Sequence, residues 1–252
     1  MDLADIALLS VAGLAAGTVN AIAGGGSLIT FPALIATGLP PVAANVTNST
    51  SVFPGYVSSV VGSRADLGRA HWRPLVPTAV VGAALGCALL LLTPAAAFDV
   101  VVPFLVLGAA AVLAFQDRLR RLVGHPREMS ARRRALSLHA MVFVGSIYGG
   151  YFGAALGVML VAGIGLVVDE SMARVSALKN VISAVVGLVG VLAFALFGPV
   201  DWADVAVTAP TALIGGYLGA RLARRLPSIV LRTLIVAFGT VVGLVLLYQA
   251  FS

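Results

Sequence analysis

Residues 21–34 read AIAGGGSLITFPAL, three glycines and a serine set inside one of the most apolar stretches of the chain. Glycine within a helix costs roughly 1 kcal/mol relative to alanine, and backbone left unpaired in lipid costs several kcal/mol more. A helix broken at Gly24, Gly25 and Gly26 therefore needs a physical reason. A turn supplies one: a new helix starts at Ser27 and presents its first N–H groups and the positive end of its dipole, a geometry that binds anions.

The surroundings of that break are a bilayer. Hydrophobic residues make up 60% of the 252 positions and charged residues 10%, and the mean hydropathy is +1.05. No water-soluble domain carries such a composition. Apolar segments fall at about 6–22, 27–38, 43–62, 75–92, 99–116, 136–155, 156–168, 175–197, 203–220 and 227–250. Of these, 27–38 and 156–168 are too short to cross a hydrocarbon core that needs about 20 residues, and each follows a glycine-rich break. The N-terminal MDLAD lacks the basic region of a signal peptide, so the first apolar run reads as a retained span. Cys87 sits alone in an apolar run and reads as a small buried hydrophobe.

The chain is internally duplicated. PTAVVGAALGC at 77–87 matches PTALIGGYLGA at 210–220, and ANVTNSTS at 44–51 aligns with ARVSALKN at 173–180. The break at 24–26 aligns with one at 149–153. Residues 1–116 and 136–252 are thus two repeats of about five helical segments each, joined by the basic linker 117–135. Arginines cluster at 64–73, 118–134 and 221–225, which assigns the loops 63–74, 117–135 and 221–227 to the cytoplasm. The termini and the acidic loops 93–99 and 198–204 then face outward. Repeat-related loops fall on opposite sides, so the repeats are inserted upside down relative to one another, as in many secondary transporters. The expected fold is all-α and polytopic, with short discontinuous or re-entrant helices. The net charge of +6 follows from cytoplasmic arginines, and no nucleic-acid partner is expected.

Lys179, the only lysine, lies in SALKNVISAVVG beyond a helix start, heading into the bilayer. It reads either as a cation snorkelling back to the cytoplasm or as one lining an anion cavity. Asn180 is its neighbour, and the first-half counterpart carries Asn45, Thr47, Asn48, Ser49, Thr50 and Ser51. Hydroxyls and amides here can cap a helix or join helices, but six polar side chains in seven positions exceed what capping requires, which points to a site. The GxxxG pairs Gly82/Gly86 and Gly215/Gly219 read instead as helix-packing contacts.

All ten carboxylates lie at span ends or in loops, which leaves no midplane proton relay. His71, His125 and His139 have no metal-ligand spacing, and no hydrolase or phosphate-loop motif occurs. Neither an enzyme nor a bound metal or cofactor is expected.

GTVNAIAGGGSLITFPALIATGLPPVAANVTNSTSVFPGY, with GSIYGGYFGAALGVMLVAGIGL and RVSALKNVIS, resembles the TauE/SafE (TSUP) family of membrane transporters over essentially the whole chain. The family is associated with small sulfur-containing anions such as sulfite, thiosulfate, sulfoacetate and other organosulfonates, generally moved outward. The resemblance implicates Asn20, Gly24 to Ser27 and Pro32, then Asn45 to Ser51, then Tyr148, Gly149, Gly150 and Gly153, and finally Lys179 with Asn180. The second break, GGYFGAALG, lacks the GGGS and proline of the first, so the two half-sites are chemically unequal. The expectation is a cell-membrane exporter of small anions working by alternating access. A carboxylate carrier, or an anion channel or receptor without coupled transport, is the alternative, and the GxxxG faces permit a homodimer.

Overall fold

The computed structural model describes residues 2–22, 25–67, 72–115, 117–118, 130–168, 170–222 and 228–251, with the side chains of 21–22, 131, 172, 219–222 and 228–232 excepted. Gly24, Arg69, His71, most of the linker 117–135 and the loop residues 223–227 lie outside the described residues.

Among the described residues there are ten α-helices. They are α1 (Leu3–Ile22), α2 (Ser27–Ala36), α3 (Pro41–Gly62), α4 (Leu75–Leu92), α5 (Ala95–Ala114), α6 (Ala131–Tyr151), α7 (Leu156–Val167), α8 (Met172–Phe197), α9 (Trp202–Leu222) and α10 (Ser228–Phe251). Helix starts follow local chemistry. Pro41 opens α3, where a missing N–H costs nothing. Ser130 and Ser171 accept from the Arg133 and Arg174 N–H groups to cap α6 and α8, and Asp201 Oδ1 accepts from Ala203 and Asp204 to cap α9.

By length and composition α1, α4, α5, α8 and α10 can each cross a membrane. Their outward faces expose Val81, Leu89, Leu192 and Val241, as a lipid-facing surface requires. Helices α2 and α7, of 10 and 12 residues, rise only about 15 and 18 Å, roughly half a hydrocarbon core. They are the two short segments that the glycine-rich breaks foretell.

Packing follows a pairing rule. Helix α1 lies along α9 and α4 along α6; α3 touches α9 as α8 touches α4; α5 packs on α10 and α3 on α8. Exchanging the first five helices with the last five reproduces these pairs, which agrees with an internal duplication. The agreement reaches single atoms. A Cβ on Gly82 of α4 would lie 2.7 Å from the Phe143 carbonyl oxygen in α6, and one on Gly215 of α9 would lie 2.1 Å from the Leu14 carbonyl oxygen in α1. Leu14 and Phe143 stand apart by the spacing that separates Ala44 from Ala173.

Candidate functional site

The two breaks are built from the same backbone device. Gly25 and Gly153 hold φ at +94° and +73°, a left-handed region open to glycine at little cost, and Ala155 shares it at +58°. Each positive-φ residue reverses the chain so that a short helix begins at once, α2 at Ser27 and α7 at Leu156. Asn20 Oδ1, at the end of α1, accepts from the Gly26 N–H at 2.8 Å and ties the first turn down. The Tyr148 hydroxyl donates to the Ala154 carbonyl at 2.6 Å and does the same for the second.

Both helix N-termini open on one space. A narrow cleft is lined by Ser27, Ser49, Tyr56, Gly149, Gly153 and Leu156, with apolar walls from Val52, Phe152, Val186 and Phe194. A second is lined by Asn20, Gly25, Ser27, Tyr56, Gly153, Lys179 and Ser183. Ser27, Tyr56, Gly153 and Leu156 belong to both, so the two are compartments of one cleft. Phe31 of α2 meets Phe152 edge to face, ring centroids 5.4 Å apart, and holds the two breaks together.

Ser183 is 2% exposed, and its hydroxyl has no hydrogen-bond partner among the described residues although it lines the cleft. A buried hydroxyl without a partner is destabilising unless something in the cleft completes it. Two converging helix dipoles, one ammonium group and this hydroxyl make the space favourable to negative charge. Ser183 lies about 17 Å from the start of α8 and about 21 Å from its end, so the cleft sits halfway along the longest helix.

Of the residues expected at the site, Asn20, Gly25, Ser27, Ser49, Gly149, Gly153 and Lys179 line the cleft. The others do not. Asn45 donates through Nδ2 to the Tyr151 carbonyl at 2.8 Å, and Thr47 Oγ1 accepts from the Asp201 N–H at 3.0 Å. Asn48 accepts from the Thr30 hydroxyl, Thr50 donates to the Val46 carbonyl at 2.9 Å, and Ser51 is fully buried. Asn180 donates to Ser63 Oγ at 3.0 Å, joining α8 to the end of α3. Gly26 and Gly150 serve close approach: a Cβ would lie 2.3 Å from the Ala16 carbonyl oxygen in one case and from that of Ala83 in the other. Asn45, Thr47 and Asn48 therefore tie α3 to other segments, Thr50 bonds within α3, and Ser49 is the member of the run that lines the cleft.

Tyr56 and Ser183 were not anticipated. Ser183 could have been found as the residue four after Lys179, one turn along the same helix face. Tyr56 gives no such signal, because an aromatic in an apolar helix reads as packing.

The match to known proteins agrees with this architecture. The family model described as sulfite exporter TauE/SafE matches residues 9–246. The probable membrane transporter protein YfcA of Escherichia coli (strain K12) is 29% identical over 97% of this chain and 90% of its own length. A probable membrane transporter protein of Haemophilus influenzae is 28% identical over 92% of this chain and 90% of its own. The probable membrane transporter protein ORF9 of a Sinorhizobium species is 27% identical over 92% of this chain and 88% of its own. No solved structure matches significantly. With a family match spanning nearly every helix and five helices fit to cross a bilayer, the chain is a multi-pass membrane transporter that belongs to the TauE/SafE family.

Proposed function

We propose that this transporter carries a small sulfur-containing oxyanion or organosulfonate across the cell membrane by alternating access around the cleft. The observation that carries the reading is the meeting of the α2 and α7 N-termini with Lys179 and the unpartnered Ser183 around one space. In the bound state the dipoles and the Lys179 ammonium group offset the anion's charge, while Ser27, Ser183 and the Asn20 side chain stand where its lost hydration shell was. Charged hydrogen bonds of this kind contribute roughly 1.5–3 kcal/mol each.

The pseudo-symmetric packing supports rocking of one repeat against the other, with the arginine-rich loops 63–74, 117–135 and 221–227 in the cytoplasm. With the cell interior negative, outward movement of a monoanion is favoured by about 2.3 kcal/mol per 100 mV, so export needs no proton relay. A carboxylate carrier would use the same donors.

Thermal stabilisation of purified protein by sulfite, thiosulfate, organosulfonates and simple carboxylates separates the two, and counterflow of labelled anion in proteoliposomes tests carriage. Stabilisation by sulfur oxyanions with saturable counterflow is expected. Stabilisation by carboxylates alone would overturn the substrate assignment, and unsaturable conductance would overturn the carrier.

A further inference from the structure

One face of α8 lines the whole cleft: Lys179, Ser183, Val186, Gly187, Gly190 and Phe194, spaced as a single helical stripe. The stripe changes character along its length. Its first turn offers an ammonium group and a hydroxyl, across from Asn20 and the start of α2. Its last two turns offer valine, glycines and phenylalanine, across from Val52 and Phe152. From the level of Lys179–Ser183 to that of Gly187–Gly190 the rise is about 11 Å. Glycine at 190 keeps the apolar compartment open: a Cβ there would meet only the Phe194 ring, at 3.5 Å.

Resting on the anion-site reading above, we infer that the substrate is an organic anion with a short uncharged tail, its charged head at Lys179 and Ser183 and its tail between Val52, Phe152, Val186 and Gly190. An inorganic oxyanion leaves the apolar compartment unfilled. A second charge at the far end, as in sulfoacetate or zwitterionic taurine, would be buried among aromatic and aliphatic groups with the Ser27, Ser49 and Tyr56 hydroxyls but no charged side chain among the described lining residues, which is unfavourable.

The test is the half-saturating concentration of sulfite and of methane-, ethane-, propane-1- and butane-1-sulfonate with the purified full-length protein, read by calorimetric titration. Affinity is expected to tighten about fourfold per methylene over at least the first two additions, with sulfoacetate at least tenfold weaker than propane-1-sulfonate. Gly190→Leu, which fills the compartment, is expected to flatten the series beyond ethanesulfonate. Gly190→Ala makes only ordinary contact with Phe194 and gives a milder flattening if the leucine variant fails to fold. A series that is flat in the wild type, equal affinity for sulfoacetate, or an unchanged slope in both variants overturns the tail assignment while leaving the anion site standing. Absence of binding by every anion tested overturns the anion site itself, and the tail assignment with it.

Discussion

Gly153 combines a φ of +73° with a crowded surround, since a Cβ there would lie 3.0 Å from the Gly149 carbonyl oxygen. Gly153→Ala is expected to cost about 1–3 kcal/mol, seen as a lower thermal midpoint, and to weaken anion binding by displacing the start of α7. Gly108→Ala is the contrast: open space surrounds that position, and replacing a helical glycine by alanine is expected to leave the midpoint unchanged or slightly raised. Asn20→Ala removes the acceptor of the Gly26 N–H at the foot of α2. A loss of about 1–3 kcal/mol is expected, together with weaker binding, because both stability and the site depend on that turn. The positive-φ glycines are legible in the sequence because glycine is costly in the interior of a spanning helix. In the polar run from Asn45 to Ser51, Asn45, Thr47 and Asn48 bond to other segments, and amides and hydroxyls that join helices have the same composition as those that hold a ligand. Which they do depends on a partner such as Tyr151 or Asp201, far along the chain.

At the level of elements, the small residues of α1, α4, α6 and α9 let backbones touch. A Cβ on Gly17 would lie 2.0 Å from the Ala212 carbonyl oxygen, and one on Gly86 would lie 2.1 Å from that of Ile147. Carbonyl oxygens of helices cannot retreat as side chains can. Gly17→Leu and Gly86→Leu are therefore expected to force α1 from α9 and α4 from α6, giving aggregated or early-eluting protein in size-exclusion chromatography. A monodisperse peak with an unchanged midpoint in either variant would show that these helix pairs tolerate separation. The GxxxG spacing made this packing readable, but not which helix each glycine meets. That partnership is displayed only by the folded chain.

For the whole molecule, the inverted-repeat reading makes a topological claim about two equivalent loops, 63–74 and 198–204. Ala65 and Ala203 are both exposed and remain outside the cleft. On a background in which the buried Cys87 is replaced by serine, Ala203→Cys is expected to react with a membrane-impermeant maleimide in intact cells. Ala65→Cys is expected to react only after permeabilisation. Labelling of both from the same side would mean that the repeats are not inserted in opposite senses.

The central claim is that the two helix starts, with Lys179 and Ser183, form one anion site. Lys179 and Asn180 are adjacent in sequence, yet one lines the cleft and the other joins α8 to α3. The most direct measurement is the dissociation constant for a small alkylsulfonate, determined side by side for the wild type, Lys179→Gln and Asn180→Ala. A loss of at least tenfold for Lys179→Gln is expected, from the roughly 1.5–3 kcal/mol of a charged hydrogen bond, with little change for Asn180→Ala. Unchanged affinity in Lys179→Gln, or equal losses in the two variants, would contradict the site described here.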